Sequence, residues 1–172
     1  INESFERAII NQHAELSLAP NSATYFDILN GNASKPSLAS PKAREQIWYS
    51  TKLTHSGYSP IPLVLNIERL NVDDLQIYLL DSSQRIIKSY RYQAGKGDFS
   101  LKQPIPNIRL GFTLQPYQNA QLLISVKDDG LEYFPIALWE RDLLAQHDTN
   151  MLVLLGAVFG ALTLIALYYL FS

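Results

Sequence analysis

The chain contains no cysteine. Disulfide staples and thiolate metal sites are therefore excluded, and the compartment has to be argued from other features, since an oxidising one would permit bridges without requiring them. An excess of charge of either sign is missing as well, with 14 Lys and Arg against 16 Asp and Glu. A formal charge of −2 gives no electrostatic reason to expect a nucleic-acid partner or strong attraction to anionic lipid. The opening residues, Ile1 to Arg7, lack the basic start and apolar stretch of a signal peptide and read as a mature or trimmed start. No phosphate-cradling glycine loop or nucleophile elbow is present, so no cofactor and no catalytic residue is expected. His13, His55 and His147 stand without a second ligand at zinc-site spacing and read as surface histidines. Asp73-Asp74 and Asp128-Asp129 could offer oxygens to calcium, but they lack the spaced ligands of a calcium loop and read as turn residues.

The chain does hold one long hydrophobic run. From Met151 to Phe171 there is no charge and no proline, and a single threonine interrupts the apolar residues. At about 1.5 Å per residue such a helix reaches about 30 Å, enough to cross the hydrocarbon core of a bilayer. A buried core helix is the competing reading, yet a soluble helix keeps a polar face and this one has none. Gly156 and Gly160, each followed by alanine, would let another helix approach closely, and Tyr168 and Tyr169 suit an interfacial aromatic belt. The residues that would reveal a positive-inside bias are not part of the sequence, so charge does not set the orientation.

The rest reads as strands. Period-two alternation is cleanest from Ile108 to Leu114, and recurs from Ala120 to Lys127 and from Asp74 to Leu80. Gln46 to Leu53, Leu63 to Ile67, Ile86 to Gln93 and Phe134 to Trp139 complete the set. Turn residues fall between them at Ser56 to Pro60, Asp81 to Gln84, Gly95 to Asp98, Gln115 to Asn119 and Asp128 to Gly130. Short strands with regular turns and no long helix between them predict an all-β, antiparallel sandwich and exclude a parallel α/β sheet. Asn30 to Ala43 is the most loop-like stretch; its Asn32-Ala33-Ser34 is formally a glycosylation acceptor but reads as loop composition. Glu140 to Asn150 favours helix and has no break before Met151, so a connector should carry movement of the sandwich into the membrane helix where a glycine-rich linker would absorb it. The expected organisation is a sandwich over 1–139, a helical connector over 140–150 and a membrane helix over 151–172.

Aromatic residues are the better functional lead, because flat rings stack on sugars and also anchor interfaces. Trp48, Tyr78 and Trp139 fall opposite the more apolar face of their strands, which predicts exposure unless loops cover them. Arg91 and Arg109 fall on outward faces too, where each could hold an anionic group. These five are the candidate ligand-binding residues.

Four features in order carry a family resemblance: Gln46-Ile47-Trp48-Tyr49 opening a strand, Pro104-Ile105-Pro106 before the Ile108 strand, Leu114-Gln115-Pro116 leading into Leu122 to Val126, and Pro135 to Trp139 before the apolar helix. Together they resemble the second type of extracellular domain of seven-transmembrane receptors with diverse intracellular signalling modules, over roughly Ala14 to Ser172. Asn107 departs from the basic or aromatic residue often found after the second proline, which weakens a ligand contact there. The resemblance implies a jelly-roll-like sandwich similar to carbohydrate-binding modules, a periplasmic N-terminus and six further membrane helices. It also implies a cytoplasmic output module, either a histidine kinase or a cyclic-di-GMP enzyme.

The expected function is non-catalytic sensing, at a bacterial inner membrane with residues 1–150 in the periplasm, of a carbohydrate-derived or other small molecule. A protein-interaction or homodimerisation module sensing a periplasmic partner is the alternative, and a membrane-anchored enzyme comes third.

Overall fold

The computed structural model describes residues 1–2, 5–20, 22–32, 45–68, 74–93, 107–127 and 135–171. Nine strands among them form two antiparallel sheets. The first contains β1 (Arg7–Ile9), β9 (Ile136–Glu140), β4 (Ile61–Glu68) and β7 (Asn107–Leu114), side by side in that order. The second is ordered β2 (Glu15–Pro20), β3 (Glu45–Thr54), β8 (Asn119–Lys127), β5 (Asp74–Asp81) and β6 (Ile86–Gln93). A five-residue helix, α1 (Tyr25–Leu29), follows β2, and the 31-residue helix α2 (Arg141–Phe171) follows β9.

Alternation places the core. Leu63, Leu65, Ile67, Ile108, Leu114, Ile136 and Leu138 face inward from the first sheet and meet Leu75, Ile77, Leu79, Leu122 and Ile124 from the second, each 2% exposed or less. Fully burying one such side chain contributes roughly 1.5–3 kcal/mol, so this interface dominates the stability of the sandwich. Every strand expected from the sequence is present, with ends shifted by no more than two residues. β1, β2 and α1 are additions, because three residues are too few for alternation to register and β2 ends in proline. β6 alternates poorly for a visible reason: it is the edge of the second sheet, and Ile86 and Ile87 are both exposed. The expected turn at Gly95 to Asp98, the Pro104 to Pro106 motif, the acidic pair Asp128-Asp129, Asp73 and most of the Asn30 to Ala43 loop lie outside the described residues.

The hairpin between β5 and β6 shows local chemistry setting register. Asp81 Oδ1 accepts the backbone N–H groups of Ser83 (2.8 Å) and Arg85 (2.9 Å), while Gln84 takes a left-handed φ of 60° to close the loop.

Candidate functional site

The outer face of the second sheet is half covered. Ala19, Trp48, Leu80 and Leu123 point away from the main core and form a second apolar cluster with Ala23, Tyr25, Ile28 and Leu29. The Asp27 carboxylate secures the start of α1, accepting the Thr24 backbone N–H at 2.7 Å and its hydroxyl at 2.8 Å. These bonds, the backbone one foremost, hold the Asp27 carboxyl below its ordinary pKa. Below the cover, Gln46 Nε2 donates to the Ala23 carbonyl (2.8 Å) and Ser125 Oγ donates to Gln46 Oε1 (3.1 Å), which satisfies two buried polar side chains.

Trp48 is therefore only 1% exposed, and the expectation of an exposed ring is corrected. Its strand face is outward as alternation requires, but α1 and the segment leading into it lie on that face. Tyr78 sits beside it, half-buried, 6.4 Å from Trp48 in a stacked arrangement and 4.8 Å from Tyr25. Tyr25 in turn lies 4.2 Å from the exposed Phe26, so a series of rings leads from the buried tryptophan to solvent.

A polar group borders these rings. Tyr78 donates its hydroxyl to Gln76 Oε1 (2.8 Å), and Arg91 holds Asp74 through Nη2 (2.7 Å) and Nε (3.3 Å), with Gln93 Nε2 adding a third bond at 3.2 Å. Burial pushes the Asp74 carboxyl upward, but hydrogen bonds from Arg91 and Gln93 and the Arg91 charge outweigh it and leave the group below its ordinary pKa. Burial raises the Tyr78 phenol. Arg91 is exposed as expected, yet it is engaged by a carboxylate and is not a bare cation. Both oxygens of Asp74 are thereby used, and among the described residues no group of three His, Cys, Asp or Glu could hold a metal ion.

Arg109 and Trp139 lie on the opposite side of the sandwich, on the outer face of the first sheet. Here the first turns of α2 return across β9 and β4. Glu140 caps the helix, its carboxylate accepting the backbone N–H groups of Asp142 (3.4 Å) and Leu143 (3.3 Å). Leu144 is buried at 5% exposure, and Val64 and Asn66 on the sheet below are buried with it. Arg109 then forms a two-pronged ion pair with Asp148, its Nη2 donating to Oδ1 at 3.0 Å, and its Nε donates to Asn66 Oδ1 at 3.2 Å. Trp139 is half-buried between the Arg7 guanidinium, 4.6 Å from its ring centre, and His147 at 5.1 Å. Both residues thus take part in a fastening between sandwich and helix. The five candidates form two groups on opposite faces.

His55 is corrected as well. It is 1% exposed, with Nε2 2.8 Å from the Ser59 carbonyl oxygen and Nδ1 3.4 Å from both the Ile1 carbonyl oxygen and the Gly57 nitrogen. Asp148, Tyr25 and Phe26 are not among the candidates that the sequence offers, and Asp74, expected as a turn residue, instead opens β5 and pairs with Arg91. The Asp74 to Arg91 spacing across a hairpin was a usable signal, whereas nothing in the order of residues brings Asp148 to Arg109.

From Met151 onward α2 leaves the sandwich. It has the length and composition to cross a membrane, and none of its apolar window is buried against the sandwich. Thr163 donates to the Phe159 carbonyl at 2.8 Å and so carries no unsatisfied hydroxyl.

Among curated proteins no relative matches the chain. One similar solved structure is the enzymatically active domain of bacteriophage CBA120 tailspike protein 4, at 13% identity and a TM-score of 0.29, over 78% of this chain and 18% of that one. The chain thus spans less than a fifth of that structure, and a likeness so slight carries no argument. The model of the family described as 7TMR-DISM extracellular 2 matches residues 12–140, which takes in β2 to β9 and stops where α2 begins. With that match over most of its length, the chain belongs to the 7TMR-DISM extracellular 2 family, a sensory extracellular domain of membrane receptors.

Proposed function

We propose that the chain is the periplasmic, non-catalytic sensor of a bacterial inner-membrane receptor, and that it relays ligand binding through α2 to an output module elsewhere in the receptor, a histidine kinase or a cyclic-di-GMP enzyme. The observation that carries this reading is the fastening of α2. The Arg109–Asp148 pair and buried Leu144 tie the sandwich to the same unbroken helix that runs on as the apolar span. A sandwich tied in this way transmits rotation or tilt, provided that the ligand has different affinities for two receptor states.

The ligand assigned to the outer face of the second sheet is a small, carbohydrate-derived molecule. Tyr25, Phe26 and Tyr78 supply apolar ring surface, while Arg91, Asp74 and Gln76 supply donors and acceptors beside it. Trp48 supports the platform from below. Binding of the full chain, held in nanodiscs, to an array of glycans tests this. Tyr78→Ala and Phe26→Ala should each weaken a recognised glycan about tenfold with the melting temperature of the sandwich nearly kept. Recognition unchanged in both would remove the site from this face.

The second reading, a module that docks a protein partner or a second copy, is favoured by Tyr58 and Tyr117. Their rings meet edge to face at 5.5 Å and stand 80% and 60% exposed at the turn end of the sandwich. Self-association of the chain in nanodiscs, abolished by Tyr58→Ala with Tyr117→Ala, would support it.

A further inference from the structure

A second recess lies away from the aromatic face, at the end of the sandwich where β9 passes into α2. It is a cavity of about 380 Å³, within the range of roughly 300–1,000 Å³ usual for small-molecule sites. Three stretches far apart in sequence converge on it. Phe5 and Glu6 come from the N-terminal segment, Ser59 to Pro62 from the entry to β4, and Glu140 and Leu143 from the cap and first turn of α2. The walls are fixed. Glu140 N–H donates to the Glu6 carbonyl at 3.0 Å, and the buried His55, also in the lining, is bound to the Ser59 carbonyl.

Its chemistry is one-sided. Phe5, Ile61 and Leu143 give apolar wall, and the charged side chains among the described lining residues, Glu6 and Glu140, are both carboxylates. A helix start would normally favour an anion, but here the Glu140 carboxylate already accepts the N–H groups of Asp142 and Leu143. The guanidinium of Arg141 offers no counter-charge either, since it reaches over Gly111 on the sheet face.

We propose that this cavity is a binding site for a small organic cation, a primary ammonium group held by Glu6 and Glu140 with its alkyl part against Phe5, Ile61 and Leu143. The site stands on its own geometry, and only its signalling consequence rests on the receptor reading. Because Glu140 also caps α2, an ammonium drawing on its oxygens competes with the first turn of the helix. Occupancy therefore acts at the origin of α2, whereas a glycan on the second sheet acts through the whole sandwich.

The test uses the full chain in phosphatidylcholine nanodiscs with methyl-labelled Ile and Leu, titrated with n-butylammonium, n-butanol and butyrate. Saturable shifts of the Ile61 and Leu143 methyls with n-butylammonium, weak or absent with the neutral and anionic probes, are expected. Glu6→Gln, which alters an exposed carboxylate at the rim, should weaken n-butylammonium about five- to tenfold. Equal response to n-butanol, no saturation, or an unchanged affinity in Glu6→Gln would overturn the proposal. Glu140→Gln is the second variant and should weaken binding similarly, with its fold checked by the same methyl spectrum. Binding without any change in the Arg109–Asp148 contact would count against the relay and leave the site intact, so the two readings fail separately.

Discussion

At the scale of the residue, the same outward position has different meanings depending on what lies above it. Trp48 and Arg91 both point away from the main core, but one is under α1 and the other reaches solvent. Trp48→Ala should consequently destabilise the chain by about 3–5 kcal/mol, as loss of a buried tryptophan does, and chemical denaturation of the full chain measures it. A cost below about 1 kcal/mol would mean that the ring is not part of the packing. Asp74 permits a pH prediction. Its folded pKa is depressed, so its contribution is fully present above the unfolded value near 3.9 and is lost as pH falls through the folded one. The Arg91 side chain is 57% exposed, so solvent screening limits the contribution to about 1 kcal/mol or less. Asp74→Asn should be less stable than the parent at pH 7 by that amount, and the difference should shrink as pH falls below the unfolded value and vanish once it lies below the folded one. A gap that persists there would place the effect in packing and not in charge. Alternation identified the face of each of these residues correctly. It could not reveal the covering layer, because α1 comes from a stretch with no periodic signal and is held by Thr24 and Asp27.

At the scale of the element, α2 has two environments along one helix. Its first turns are polar on one side and meet the sheet through Leu144, His147 and Asp148, and its remainder is apolar all round. The sequence showed that nothing breaks the helix between Glu140 and Met151, and the structure agrees. What it could not show was the return of those turns across β9 and β4, since the contact between Arg109 and Asp148 spans 39 residues and leaves no local pattern. A double-mutant cycle on Arg109→Ala and Asp148→Ala should give a coupling of about 1 kcal/mol, with faster amide exchange in residues 144–150 of either variant. Additive effects and unchanged exchange would show that Leu144 alone seats the helix. The strands tell a matching story: β7 and β8 were readable because each buries one face throughout, while β1 is three residues held to β9 by pairing of Arg7 with Trp139 and could not be recognised alone.

At the scale of the whole molecule, the sandwich and the apolar part of α2 are distinct in surface as well as in shape. The sandwich completes its own core, whereas the surface of α2 beyond Met151 is apolar and bare. Val158→Arg should accordingly raise the free energy of membrane insertion by about 2.5–3.5 kcal/mol, read as a fall in the inserted fraction in a translocation assay, and it should leave the denaturation of the sandwich unaltered. Unchanged insertion would argue that this stretch does not cross a bilayer.

The path of α2 has a mechanical consequence. The helix begins near Gly111 and has advanced to Arg109 by Asp148, so it travels down the flank of the first sheet before it departs. The sandwich is strapped alongside its own stalk as a splint is, and the strap has a near and a far end. Loosening the far end, at Glu140, would unpeel the stalk from its origin; loosening the near end, at Asp148, would free it just before the apolar run. One domain could thus deliver two distinguishable strokes to the same helix.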